Sequence, residues 1–435
     1  MRKLLFSTIL AILVLLGAEV LSFLGLSASQ GRWASYSGLS EARQTIADGE
    51  PTGDPRELKV ERRLRRFQNH FGHNVLHPFL GFVNVPRAQA RKKRNFRPGA
   101  ANLGFPDNRA SLLQPAREDT VVVGIFGGSV ANILANVSFE KLTEDLGTVP
   151  RFTGKKIRLV HAALGGFKQP QQLMALNYFL ALGGHFDLIL NIDGFNEVAL
   201  PGPELISKNV FPHYPRDWYF RTAALDPALR ISLGRLAYLQ DQKKNLAQHF
   251  SGPLLSRSFT ASLFWSLKNQ NLDRRISEGQ LELANKKDIS WNYQTHGPRR
   301  KYSEPEKLYE DLTDVWIRSS YQMQALAQSA GAEYFHFLQP NQYIDGSKDL
   351  TDQETRVAFD EDNRVRPGVL SGYPMLISKG REAREAGLPF FDLTLIFRNV
   401  PQSLYIDVCC HFNIEGNDLL ADAIVEILKA NPPKG

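Results

Sequence analysis

Thr120-Val121-Val122-Val123-Gly124-Ile125-Phe126-Gly127-Gly128-Ser129 is the stretch that decides the fold. Thr120 to Phe126 is continuous and β-branched rather than alternating, the pattern of a strand buried on both faces of a parallel sheet. Working outward, similar short apolar runs occur at Lys156–Val160, Phe186–Ile192 and Glu333–Leu338. Helical patterns lie between them, such as Leu308, Leu312, Trp316, Met323 and Leu326 on one face. Strands separated by helices predict an α/β domain with a central parallel sheet and helices on both sides, a three-layer α/β/α sandwich. The last helix is expected to start after Asn413, a good cap, and to bury Leu419, Leu420, Ala423, Ile424, Ile427 and Leu428.

The chain has 435 residues, 43% of them apolar and 22% charged, which excludes a disordered protein and leaves room for a sizeable core. Arg2 and Lys3 precede an apolar run from Leu4 to Leu26. That run exceeds the roughly 20 residues needed to span a bilayer, whereas a signal peptide has an apolar region of only about 7–15. Leu26-Ser27-Ala28-Ser29 is a poor cleavage site, so residues 1–28 read as an uncleaved anchor rather than a removed signal. The positive residues ahead of it place the amino terminus inside and the body outside the cytoplasm. Glu19 is costly in lipid unless it lies at the outer interface or finds a partner.

Residues 29–118 read as a membrane-proximal stalk and lead-in, and 119–435 as the main domain with an insertion at about 201–305. The insertion is mixed aromatic, basic and amide-rich, and is expected to be largely helical. Leaving the carboxyl side of the third strand, where open parallel sheets bind ligands, it is placed to shape a cleft or to dock a protein partner. The net charge is +7, with clusters at Arg62-Arg63-Leu64-Arg65-Arg66 and Arg91-Lys92-Lys93-Arg94. Beyond an anchor these read as a solvated face, or one attracted to anionic lipid heads or acidic polymers, and no nucleic acid is expected. Cys409 and Cys410, the only cysteines, are adjacent and cannot form a disulfide framework.

Acyl transfer needs a nucleophile, a base, a group that orients the base, and donors for the oxyanion. Ser129 ends the first strand on a glycine turn, with its own N–H facing the same space. His161-Ala162-Ala163-Leu164-Gly165-Gly166-Phe167 follows the second strand and offers a backbone N–H without a side chain in the way. Asp193-Gly194-Phe195-Asn196-Glu197 follows the third and offers the Asn196 amide, and Asp407 to His411 comes last. Ser, Asp and His in that chain order are the parts of a serine hydrolase.

These blocks, all after strand-like segments, together resemble the SGNH (GDSL-type) hydrolase superfamily, and among its branches the membrane-attached bacterial members. The resemblance covers roughly residues 100–200 and 305–430. It implies a flavodoxin-like SGNH fold with Ser129 as nucleophile, His411 as base and Asp407 as its orienter. Gly166 and Asn196 would join the Ser129 N–H as oxyanion donors. Three departures stand out: Gly-Gly-Ser replaces the usual Gly-Asp-Ser, Glu197 replaces an Asp, and three residues rather than two separate Asp407 from His411. A bulge at Cys409-Cys410 would absorb the extra residue.

Other residues have plainer readings. His70, His73 and His77 have a helix-like spacing, but Pro78 and the lack of a nearby carboxylate or Cys argue against a metal site. Tyr334, Phe335 and Phe337 read as strand residues, and His161 as a local hydrogen-bonding residue. Gln339-Pro340-Asn341-Gln342 reads as a polar turn at the substrate edge. The expectation is a serine esterase acting on O-acyl esters of a small molecule or envelope glycan, with neither metal nor cofactor. It would be single-pass in a bacterial inner membrane, with its catalytic domain in the periplasm. The alternatives are an O-acyltransferase of the same fold and a non-catalytic module for envelope assembly or glycan binding.

Overall fold

The computed structural model describes residues 2–31, 33–48, 74–85, 103–106, 112–222, 227–285 and 291–432. The chain forms two compact units, one of residues 1–69 with 223–291, the other of residues 70–222 with 292–435. The basic clusters at 62–66 and 91–94, and His70 and His73, lie outside the described residues.

The larger unit is mixed α/β. Its strands are a hairpin, β1 (Asn74–His77) with β2 (Gly81–Asn84), and then β3 (Thr120–Gly127), β4 (Lys156–Ala163), β5 (Leu188–Asp193), β6 (Glu333–Leu338) and β7 (Phe390–Asp392). The last five make one parallel sheet in the order β4-β3-β5-β6-β7. Every residue of β3 and of β5 is buried, which is why their sequences run apolar without alternation. Helices gather in two groups. Ser129–Val137, Phe139–Leu146 and Ile414–Ala430 contact one another, while Gln171–Ala181, Pro305–Ser329 and Arg366–Glu385 are linked through a second set of contacts. Asn413 caps its helix by accepting from the Gly416 N–H at 2.9 Å. Leu420, Ile424 and Leu428 are fully buried there, with Leu419, Ala423 and Ile427 at the edge of the core.

The strand order reverses at β3: the chain steps from β3 out to β4, then returns past β3 to β5. The carboxyl ends of β3 and β5 therefore flank a switch point, where an open sheet leaves a crevice.

The smaller unit is helical, built from Arg2–Gln30, Tyr36–Asp48, Pro227–Phe250 and Phe259–Asn285. Leu5–Ser29 is long and apolar enough to cross a membrane. Its Glu19 does have partners: it accepts from Ser258 Oγ at 2.5 Å and from the backbone N–H groups of Phe259 at 2.7 Å and Thr260 at 3.2 Å. Those are orphan donors at the start of the Phe259–Asn285 helix, so one carboxylate satisfies a helix end. Leu26, Leu39, Phe250 and Trp265 form the core beside it.

These units divide the chain at other points than the sequence boundaries do. Pro201–Thr222 and the segment from Asn292 stay with the sheet, and only 223–291 joins the amino-terminal helices. Part of the segment read as lead-in is also core of the larger unit. Leu80, Phe82 and Phe105 are buried, and Phe82 packs edge-on against Phe167 at 5.2 Å.

Candidate active site

Ser129 opens the Ser129–Val137 helix directly after β3. The first helical hydrogen bond runs from Asn132 N to Gly128 O at 3.0 Å, so the N–H groups of Ser129, Val130 and Ala131 have no acceptor within the helix. Gly127 has φ of +144°, and a Cβ there would lie 2.1 Å from the Ile192 carbonyl oxygen, so only glycine fits this corner. A Cβ on Gly128 would lie 2.2 Å from Asn196 Nδ2. The amide of Asn196 thus occupies the space that any side chain at 128 would need.

Asn196 sits on the short helix Phe195–Ala199 that follows β5. Its Nδ2 donates one hydrogen to the Phe167 carbonyl at 2.7 Å, leaving the second amide hydrogen. Glu197, the other departure, is buried and fixes the surrounding turns. Its Oε1 accepts from Gln169 N at 2.9 Å and Gln172 Nε2 at 3.1 Å, and its Oε2 from Gly194 N at 2.9 Å. Burial, with the Asp193 charge adding, pushes its carboxyl up to about 8. Gly166 follows β4 in the left-handed region, φ +83°, and its neighbour Gly165 faces Ser129: a Cβ on Gly165 would meet the Ser129 Cβ at 4.0 Å.

From the far end of the chain, His411 brings Nε2 to 2.8 Å from Ser129 Oγ and Nδ1 to 2.5 Å from Asp407 Oδ2. The extra residue between Asp407 and His411 is taken up by a turn over the carboxylate rather than by a bulged strand. Asp407 Oδ1 accepts from the backbone N–H groups of Cys409 at 2.9 Å, Cys410 at 3.2 Å and His411 at 3.4 Å. Burial raises the Asp407 carboxyl, but hydrogen bonds from His411 and the turn outweigh it and hold it below the usual carboxylate value. Burial pulls the His411 imidazole down, yet the Asp407 hydrogen bond and the Cys409 charge win and leave it above 6.5.

Gln339 to Gln342, read as a turn at the substrate edge, grips this loop instead. Asn341 Nδ2 donates to Cys409 O and Gln342 Nε2 to Asp407 O, both at 3.0 Å. Tyr343 Oη and Asn363 Nδ2 both donate to Val408 O, at 2.9 and 2.7 Å. The carbonyls of Asp407, Val408 and Cys409 are thereby tied to β6's exit loop and to Asn363.

A second Ser-His-Asp set, unforeseen in the sequence, lies behind the site. Ser320 Oγ is 2.8 Å from His336 Nδ1, and His336 Nε2 is 2.7 Å from Asp193 Oδ1, which also accepts from Trp316 Nε1 at 2.7 Å. Ser320 and His336 are both 0% exposed, so no substrate reaches this set. It braces β5, β6 and the Pro305–Ser329 helix across the core. Its sign in the sequence is an acid at the end of a strand that is apolar but for Asn191.

The remaining candidates separate from the site. His161 lies within β4 paired in register with Ile125, and burial lowers it to about 3, so it is neutral. His77 accepts from the N–H groups of Phe79 and Leu80 at 3.3 and 3.2 Å and closes the β1–β2 turn. Tyr334, Phe335 and Phe337 are buried in β6. Cys409 and Cys410 are free thiols with Sγ atoms 3.3 Å apart. With His411 they are the one group of potential metal ligands within 4.8 Å of one another among the described residues. Both His411 nitrogens are engaged, so a metal there would displace the Ser129 or Asp407 bond.

No protein-family model and no curated protein matches this chain.

Proposed function

We propose that this protein is a membrane-anchored serine hydrolase of the SGNH type. The two helix groups are then the outer layers of a three-layer, flavodoxin-like sandwich. The observation that carries the reading is the chain of contacts Ser129 Oγ to His411 Nε2 at 2.8 Å and His411 Nδ1 to Asp407 Oδ2 at 2.5 Å. It lies at the carboxyl edge of the parallel sheet, beside helix-start and glycine N–H groups.

In this reading His411 takes the Ser129 proton as Oγ attacks the acyl carbonyl, and Asp407 keeps the proton on Nδ1 so that Nε2 is the basic nitrogen. The oxyanion is received by the Ser129 N–H, the Gly166 N–H and the second hydrogen of Asn196. His411 then returns its proton to the leaving alcohol, and the acyl-enzyme passes its acyl group to water or to a sugar hydroxyl. Leu5–Ser29 supports attachment to a membrane, with the sheet domain on the far side of it from the cytoplasm. The reaction would therefore act on O-acyl groups of small molecules or glycans outside the cytoplasm.

A fluorophosphonate probe tests the reading. The expected result is stoichiometric labelling of folded protein, lost in Ser129→Ala. Folded wild-type protein that stays unlabelled, or labelling that survives in Ser129→Ala, would remove Ser129 as nucleophile.

A further inference from the structure

The segment after β5 carries an arginine that the chemistry above does not use. Arg216 lies on Gly166: a Cβ there would fall 1.9 Å from Arg216 Cδ and 3.0 Å from Nε. Its side chain therefore lies over Gly166, next to the glycine that faces Ser129, and its charge is felt at both His411 and Cys409. The backbone is committed to presenting it there. Arg221 Nε donates to the Arg216 carbonyl at 3.0 Å, and Asp217 next to it adopts the left-handed conformation at φ +55°, uncommon for a residue with a side chain.

A guanidinium serving only the fold spends its donors on the protein. Here Nη2 donates to Glu204 Oε1 at 2.5 Å, and Asp217 Oδ2 stands 3.5 Å from Nε. Nε has no acceptor in hydrogen-bond geometry, and among the described residues none is recorded for Nη1. Glu204 is 2% exposed, while the arginine side chain keeps 21% of its surface exposed around a buried, unpaired Nε. Arg364 adds a second cation 3.9 Å from Glu204, and with Arg221 three guanidinium groups meet two carboxylates, leaving the cluster positive.

We propose that Arg216 recognises an anion on the substrate, and that the ester handled at Ser129 carries a carboxylate close to the scissile bond. This rests on the hydrolase reading. The planar fork of arginine suits a carboxylate, and a partly buried site makes the charge-assisted bond strong enough to select for it. Glu204 serves as the buried counter-charge that holds the fork in place.

The test uses two matched ester pairs on the full-length protein in detergent. Para-acetoxybenzoate against para-acetoxybenzamide places the charge on the alcohol side, and the succinate half-ester of para-nitrophenol against its butyrate places it on the acyl side. Wild-type protein should prefer the carboxylate in at least one pair by about 10- to 100-fold in kcat/KM, the range of a charge-assisted hydrogen bond. Arg216→Gln should collapse that ratio through KM of the charged member, and Arg216→Lys should keep part of it. The proposal is overturned by equal turnover within both pairs in the wild type, or by an equal loss on both members in Arg216→Gln and Arg216→Lys. Calorimetric binding to Ser129→Ala separates this from failure of the hydrolase reading. Para-acetoxybenzoate bound in preference to its amide, and lost with Arg216→Gln, supports the anion site even in a protein that no fluorophosphonate labels. No preference there overturns it.

Discussion

Gly128→Ala tests the oxyanion geometry without touching a reacting atom. The new methyl group would be placed 2.2 Å from Asn196 Nδ2 and 3.2 Å from the Phe167 carbonyl oxygen. An ordinary contact needs more than 3.4 Å, so the amide or the start of the Ser129 helix must move by roughly 1 Å. Gly128 has a negative φ of −88°, so no left-handed strain adds to the clash with the amide. If the amide moves, its hydrogen bond to Phe167 breaks and the second hydrogen no longer points at the oxyanion, a loss on the order of 10²–10³ in kcat, or about 2.7–4 kcal/mol. Overpacking should add about 1–3 kcal/mol of destabilisation. The assay is hydrolysis of para-nitrophenyl acetate by Gly128→Ala, Asn196→Ala and the double variant, each with a denaturant melt. Two substitutions removing one donor are not additive, so the double variant should be no slower than Asn196→Ala. Near wild-type kcat in folded Gly128→Ala, or fully additive losses, would refute the placement of Asn196 in the oxyanion site.

Asp407→Asn should lower kcat by about 10³–10⁴-fold by favouring the wrong tautomer. Only neutral imidazole accepts the Ser129 proton, so wild-type activity should fall on acidification with an inflection above pH 6.5, because Asp407 raises His411. In Asp407→Asn the opposing pull of burial and Arg216 remains, and the inflection in kcat/KM should move down; an unmoved inflection would show that another group orients His411. Ser320→Ala should leave fluorophosphonate labelling intact while costing about 1–3 kcal/mol in chemical denaturation, since buried Tyr334 and His336 each lose a partner. Loss of labelling in folded Ser320→Ala would mean that the wrong Ser-His-Asp set has been assigned. With Leu5–Ser29 as an uncleaved anchor, the protein should sediment with membranes, resist salt extraction and retain Met1 or Arg2 by intact mass, whereas a soluble form starting near Ser29 would identify a signal peptide.

The parts of this fold legible in the sequence are those whose cause is local. Val121 to Val123 announce a two-sided strand because the residues themselves are the core. Asn413 announces a helix start because the cap acts three residues away. β7 has no sequence signature: it has three residues, too few for any pattern, and its place comes from pairing with β6. The β1–β2 hairpin is hidden in the sequence because Phe82 and Leu80 gain their meaning only when Phe167 and the Gln171 side chain, far along the chain, cover them.

The site divides along the same line. Each candidate reacting group follows a strand or opens a helix, so its address is written beside it, whereas the groups that hold it are chosen by space. Asp407 reaches His411 across three intervening residues because its other oxygen collects three backbone N–H groups, a turn that counting residues between motifs does not reveal. Gln342 and Asn363 hold that turn from 65 and 45 residues away, through carbonyls that carry no sequence signature. Arg216 lies in a stretch without periodicity and gains its position from Glu204 and the bare face of Gly166. A side chain at 166 would evict it. Of the double glycine after β4 it is therefore Gly166 that packing holds to glycine, while a Cβ on Gly165 would only touch Ser129 at ordinary distance, and the pattern that a sequence shows as flexibility is in the fold a packing constraint at its second position.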